Sequence, residues 1–182
     1  SINVINRPAS LAADDTNVID VILHFLECFY DQNSLLPESV SLLQPTSPFI
    51  LAQHIDTCIK QLSDYPQTDS VQTITKVEHN SHAFNQRVLD NGFVSFRFPN
   101  ERALAYNKQL KPDHYICGNL VVIRTSSLIA NRSIFGNISR SILIDRQYSI
   151  DVDTPEDLQY ANYLLSLHHS SVEYICCRTR CG

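Results

Sequence analysis

The sequence predicts an α/β fold with a mostly parallel sheet and helices packed over it. Short β-branched runs alternate with amphipathic segments in the order strand, helix, strand, helix, strand. Prolines and polar clusters mark the changes of period. The 182 residues, 43% hydrophobic and 18% charged, suit one domain with a sizeable core.

Taken in order, Ser1–Ile5 reads as a strand entered partway through a fold. Asp14, Asp15 and Thr16 are candidate caps for the helix that follows. Its apolar positions Val18, Ile19, Ile22, Phe25, Leu26 and Phe29 recur at three- and four-residue steps. Ser34–Glu38 is a loop and Val40–Leu43 a short strand, and Pro45 and Pro48 stop any continuation as helix. Leu51, Ile55, Cys58, Ile59 and Leu62 mark a second helix, closed by Pro66. Asp69–Val77 reads as a strand, with Val71, Thr73 and Thr75 on one side. Residues 78–112 are more polar, carry the turn signal Asn91-Gly92, and read as an excursion from the main sheet. Leu120–Ile123 returns to a buried-strand pattern, and Ile142–Ile144 is another short apolar run. The last helix starts after Thr154, with Pro155 at its first position and Asp157 completing a capping box. Leu158, Ala161, Leu164, Leu165 and His168 share roughly one face, with His168 as a surface histidine. Residues 1–168 thus form the folded part and 169–182 a tail.

Several function classes are disfavoured. The formal charge is −5 and no long basic run appears, which argues against nucleic acid. No apolar run is long enough to span a membrane. The first residues do not form a signal peptide, and a cytoplasmic location is expected. Cys28, Cys58 and Cys117 are expected to be buried free thiols. Cys176, Cys177 and Cys181 lack the paired spacing of a metal site. The four glycines include none before Gly92, so no Gly-rich phosphate loop can be built from these residues. His79 and His82 lack a third ligand, and neither Ser47 nor Ser170 lies in a nucleophile elbow.

Two segments carry chemistry. Gln44-Pro45-Thr46-Ser47-Pro48 follows the C-terminal end of a strand, where open α/β sheets place ligand groups. Gln44 offers an amide and Thr46 and Ser47 offer hydroxyls, on a loop stiffened by proline. A Pro-rich turn that caps the next helix explains the same residues. The second segment is Ser149-Ile150-Asp151-Val152-Asp153-Thr154-Pro155-Glu156-Asp157. If 150–153 is extended, Asp151 and Asp153 point to one side while Ile150 and Val152 face the core. Two adjacent carboxylates favour a cation between them, and Mg²⁺ suits such a pair. Helix-entry capping is the competing explanation, and it accounts for Asp157.

These two segments, with Arg7-Pro8, Leu11-Ala12, Asp14 and Asp69-Ser70-Val71, resemble the acylneuraminate cytidylyltransferase family over roughly residues 1–165. The resemblance implies a three-layer Rossmann-like nucleotidyltransferase fold, homodimeric and Mg²⁺-dependent. It implies transfer of CMP from CTP to a nine-carbon acidic sugar with release of pyrophosphate. Asp151 and Asp153 would be the catalytic, metal-binding pair. Gln44, Thr46, Ser47, Lys108, Gln109, Gly118 and Asn119 would contact substrate, with Lys108 supplying positive charge near the sugar carboxylate. The 78–112 excursion would help form the dimer and the sugar site. The family's N-terminal strand and Gly-rich basic loop are not among these residues, so the fold is expected to be N-terminally incomplete and the 182 residues alone inactive. The family's arginine near the returning strand is also absent, and its Asn-Gly pair appears reversed as Gly118-Asn119. A non-catalytic relative that binds a sugar or a partner is the alternative.

Overall fold

The structure, a computed structural model, describes residues 4–167. Helices α1 (Val18–Asn33) and α2 (Ala52–Asp64) alternate with strands β1 (Ser39–Leu43) and β2 (Ser70–Lys76). A hairpin follows, made of β3 (Arg87–Asp90) and β4 (Phe93–Phe96), and then the short helix α3 (Pro99–Leu104). The chain continues through β5 (Tyr115–Arg124), α4 (Thr125–Asn131), β6 (Ser139–Leu143) and α5 (Pro155–Leu167). The main sheet has four strands in the order β1-β5-β2-β6.

Three strands run one way and β5 runs against them. β1 pairs antiparallel with β5 from Ser39↔Arg124 to Leu43↔Leu120. Arg124 N–H donates to the Asp69 carbonyl at 2.9 Å, and Val77 N–H to the His114 carbonyl at 2.8 Å, so β5 is antiparallel to β2 as well. Asp69 N–H meets the Ile138 carbonyl and Ile144 N–H the Ile74 carbonyl, which makes β2 and β6 parallel. The reversed strand is invisible to sequence periodicity, which reports the face of a residue and not the direction of its strand.

The chain divides into two compact units. The first comprises Ser1–Gln44, Leu51–Gln72 and Leu120–Ile142; the second comprises Pro45–Ile50, Thr73–Asn119 and Leu143–Gly182. The core of the first is Ile22, Leu26, Ile123 and Leu128, with Val40, Leu42 and Ile134 packed against it. The Arg124 guanidinium reaches the Thr68 carbonyl at 2.8 Å and also the Leu62 carbonyl, so it ties β5 to the end of α2. Asp69 accepts from Ser127 Oγ at 2.7 Å, Asn137 N–H at 2.7 Å and Ile138 N–H at 2.9 Å. These donors hold its carboxyl below the usual carboxylate range, the Ser127 hydroxyl most of all. Gly136 has φ +64°, and a Cβ there would lie 2.3 Å from Asp69 Cβ, so both conformation and space require glycine.

In the second unit Phe49, Ala161 and Leu164 form a core with Tyr148, Ile150 and Val152 against it. The 78–112 excursion contains the hairpin, closed by Asn91 (φ 47°) and Gly92 (φ 85°) as a two-residue primed turn. The Asn-Gly signal therefore marks the turn correctly. His82 is buried, with Nε2 on the Pro112 carbonyl and Nδ1 accepting from Phe84 N–H. It stacks on His114 at 4.1 Å between ring centroids, so it is a packed histidine.

Four expectations need correction. Asn17, and not Asp14–Thr16, caps α1, its side chain accepting from Ile19 N–H at 3.0 Å. It lies two residues before the donor amide, where a side-chain oxygen reaches without strain. Val4 and Ile5 are not in a strand, because no neighbouring strand among the described residues pairs with them. Cys58 is fully buried and burial pushes its thiol up to about 12, and Cys28 is half-buried, but Cys117 is exposed. Cys117 lies on the part of β5 that precedes the β1 pairing, which starts at Leu120. On α5 only Ala161 and Leu164 are buried, while Leu158 and Leu165 are exposed at 53% and 38%. The apolar stripe is one i, i+3 step wide there. His168 and Cys176, Cys177 and Cys181 lie outside the described residues.

Asp69→Asn should lower the melting temperature by several degrees at pH 7. The Asp69 contribution is present above the unfolded carboxylate value and is lost as pH falls through its depressed folded value. Thermal melts from pH 7 to pH 2.5 should show the gap between wild type and variant closing in acid; a gap independent of pH would refute the role.

Candidate functional site

The local chemistry of 149–157 sets the site. Ile150 and Val152 pack against the core beside Phe49, as the alternation predicts, with Asp151 and Asp153 at the alternate positions, and Tyr148 joins that core from the 3-10 turn Arg146–Tyr148. Asp157 Oδ2 accepts from Thr154 N–H at 2.9 Å and Thr154 Oγ1 at 2.7 Å, and Thr154 Oγ1 accepts from Asp157 N–H at 3.2 Å. This is the capping box expected at the start of α5. The Thr154 hydroxyl and amide hold the Asp157 carboxyl below its ordinary value.

The two sequence motifs meet in the second unit. Val152 N–H donates to the Thr46 carbonyl at 2.8 Å. Ser47, 6% exposed, directs Oγ to Asp151 Oδ1 at 3.4 Å. Asp151 is half-buried and borders a cavity of about 260 Å³. The wall opposite is the end of β2, Thr75–Glu78, and the cavity is completed by Arg146, Ser149 and Tyr160. Asp153 is exposed, its backbone N–H on Asp157 Oδ2 at 3.3 Å.

The remaining candidates are dispersed. Gln44 is exposed just after β1, in the first unit. Lys108 and Gln109 are exposed on a one-turn 3-10 helix, and Lys108 borders a second cavity of about 820 Å³. Gly118 is buried, and a Cβ there would lie 2.7 Å from Thr73 Oγ1 and 2.8 Å from Ile144 Cδ1. Its lack of a side chain lets β5 pass close to its neighbours. Asn119 has φ 71° and donates Nδ2–H to the Ser149 carbonyl at 3.0 Å, two residues before Asp151. Asn119 therefore holds the strand that presents the carboxylates. Arg146 and Tyr160 escape the sequence reading, which takes Ser149 only as the start of the acidic segment and Thr75 only as a strand residue. Arg146 stands alone between an apolar run and the carboxylate pair, in no pattern that spacing could reveal.

A divalent cation can be tested against these donors. Neither Asp151 nor Asp153 is in an ion pair among the described residues. No group of three or more His, Cys, Asp or Glu suited to a metal is found among them either. A carboxylate pair without a full protein cage fits Mg²⁺, which keeps several waters and takes oxygens from a phosphate.

No family model matches the chain. It is 26% identical over 155 residues to an N-acylneuraminate cytidylyltransferase of Escherichia coli O18:K1:H7, an alignment that covers 85% of this chain and 35% of the relative. A protein of the same name from Streptococcus agalactiae serotype V is 25% identical over 157 residues, with 86% and 36% covered. The chain thus spans about a third of the length of these relatives, 35% in the first. It is 23% identical over 167 residues to a CMP-N,N'-diacetyllegionaminic acid synthase of Legionella pneumophila, with 91% and 70% covered. Among solved structures, a CMP:2-keto-3-deoxy-manno-octonic acid synthetase complexed with CTP superposes with a TM-score of 0.55 at 12% identity, covering 85% of this chain and 70% of the other. The chain is similar in sequence to the N-acylneuraminate cytidylyltransferases, and its fold is that of a Rossmann-like nucleotidyltransferase.

Proposed function

We propose that the chain carries the sugar-activating part of a cytidylyltransferase. The reaction joins CMP from CTP to a nine-carbon acidic sugar. The sugar's anomeric hydroxyl attacks the α-phosphorus, the bond to the β-phosphate oxygen breaks, pyrophosphate leaves, and the hydroxyl proton is lost to solvent. The observation that carries this reading is the meeting of two loops whose residues Ser47 and Asp151 are 104 positions apart, at the edge of a cavity. The similarity to relatives named N-acylneuraminate cytidylyltransferase and CMP-N,N'-diacetyllegionaminic acid synthase supports it.

Each residue has a part that follows from its place. Ser47 is buried and orients Asp151 through Oγ. The Thr46 carbonyl fixes Val152, and Asn119 fixes Ser149, so the backbone that bears both carboxylates is held on two sides. Asp151 and Asp153 would hold Mg²⁺, which supplies a Lewis acid for phosphate oxygens. Lys108 and Gln109 are exposed and accessible to substrate. Gln44 is placed in substrate contact by resemblance alone, and Gly118 serves by its small size. The free thiols of Cys28, Cys58 and Cys117 accord with a cytoplasmic location. Among the described residues no helix is long and apolar enough to cross a membrane.

The hairpin supports a homodimer. Leu89, Phe93 and Val94 are exposed at 72%, 80% and 67%, and two-stranded ribbons of this kind seldom leave such residues in water. Leu89→Lys with Phe93→Lys should convert dimer to monomer in sedimentation velocity, with circular dichroism unchanged. A wild-type chain that sediments as monomer at tens of micromolar would exclude the dimer.

The site has its own test, in a form of the protein that turns over. Asp151→Asn or Asp153→Asn should cut CMP-sugar formation by about a hundredfold or more, since each 1.4 kcal/mol of lost transition-state stabilisation is about tenfold in rate. Asp157→Asn should lower the melting temperature and leave the Mg²⁺ dependence in place. Pyrophosphate release against Mg²⁺ concentration is the measurement. Normal turnover and Mg²⁺ dependence in the Asp151 and Asp153 variants would move the site elsewhere.

A further inference from the structure

The cavity of about 820 Å³ that Lys108 borders is lined on several sides by basic groups. Lys76, His79, Lys108 and Arg146 all contribute to its wall, against the carboxylates of Glu78 and Asp145. Lys76 is neutralised by Asp113 at 2.6 Å. Arg146 is bound by Glu78. Lys108 and His79 are in no ion pair among the described residues, and neither is Asp145. Lys108 and Asp145 oppose one another, so the balance of charge on the wall turns on how firmly Glu78 holds Arg146.

That hold is loose. The two side chains are 61% and 55% exposed, and an ion pair in water contributes little and exchanges partners at small cost. Arg146 also borders the smaller cavity that contains Asp151, and residues 75–78 line both. One guanidinium thus borders both the cavity that holds Asp151 and a roomier cavity whose wall carries both signs of charge. A guanidinium is a planar fork that matches a carboxylate with two parallel hydrogen bonds, which an ammonium cannot do. The size lies within the range of small-molecule sites.

We propose that Arg146 is the anchor for the carboxylate of an acidic-sugar ligand, and that Glu78 is an internal carboxylate that competes for it. The ligand's identity rests on the cytidylyltransferase reading, while the anchor and its competitor rest on the two cavities and the ion pair. Glu78 shows what the guanidinium accepts at this place. A ligand carboxylate displaces it, and the Glu78 charge passes to water or to Lys108 on the same wall. Burial, then Lys111, Lys108 and Arg102, hold the His79 imidazole below its ordinary value, so at pH 7 it stands on this wall as a neutral hydrogen-bonding group.

The competition gives the two partners opposite signs. Wild type, Glu78→Gln, Arg146→Gln and Arg146→Lys are titrated with an N-acylneuraminate and with its methyl ester, by ligand-observed NMR on the 182-residue chain. The acid should bind severalfold tighter to Glu78→Gln and about tenfold or more weaker to Arg146→Gln, with Arg146→Lys in between. The ester should bind weakly and alike to all four. Equal acid affinities across the variants, weaker binding to Glu78→Gln, or no binding to any chain would overturn the proposal. So would inorganic pyrophosphate that competes with the acid and depends on Arg146 in the same way, because the cavity would then be a phosphate site. CMP-sugar formation by an active form separates the two readings. Acid binding as described with no CMP-sugar formed keeps the anchor and removes the cytidylyltransferase. CMP-sugar formation with a sugar KM unchanged in both Gln variants does the reverse.

Discussion

A backbone hydrogen bond of 2.8 Å from Val152 to the Thr46 carbonyl closes the loop 45–50 onto the strand-like segment 150–153. Thr46 lies in a turn, which points its carbonyl out of the loop toward the Val152 amide. The alternation along 150–152 then fixes the faces. Ile150 and Val152 go to Phe49, Ala161 and Leu164, and Asp151 goes to Ser47. If the Thr46 carbonyl were lost to solvent, the phase of the alternation would no longer be held, and a one-residue slip would bury carboxylates and expose Val152. The Phe49 core and the Asp151 position are therefore one constraint.

The beginning of α5 depends on the same register. Thr154 and Asp157 cap the helix in both directions, so the chain leaves its extended form within one residue of Asp153. The capping explanation and the metal explanation of this acidic stretch consequently apply to different residues. Asp157 is consumed by the cap, and Asp151 and Asp153 are not. Asn119, in a left-handed conformation that its short amide side chain tolerates, holds the upstream end through Ser149.

Much of this was legible in the sequence, for a physical reason. Period and punctuation report local conformation, and local conformation was read well where one face is buried: α1, α2, β2 and the Thr154–Asp157 cap lie where the pattern puts them. The reversal of β5 was not legible, since its residues Leu120–Ile123 are buried whichever way the strand runs. Nor was Arg146. Its significance comes from Glu78, which is 68 residues away, and from a cavity wall built by β2. Single-sequence reasoning finds residues that act as motifs, whereas a side chain that acts through a distant partner needs the fold to be seen. Cys117 failed for a related reason, because burial along β5 depends on where the pairing with β1 begins.

Net charge does not report how charge is distributed along the chain. The chain carries −5 in total, yet residues 78–112 hold five Lys or Arg against three Asp or Glu. Of those five, Arg87, Arg97, Arg102, Lys108 and Lys111 make no ion pair among the described residues. Arg87 and Arg102 lie over the Phe96 ring and Arg97 over Phe98, so aromatic faces take the place of carboxylates. A quadrupole offsets part of the cost of crowding cations without cancelling their charge at a distance. Among the described residues the cations of the excursion of an acidic chain thus stand on aromatic faces and in water instead of on carboxylates, and total charge does not report that arrangement.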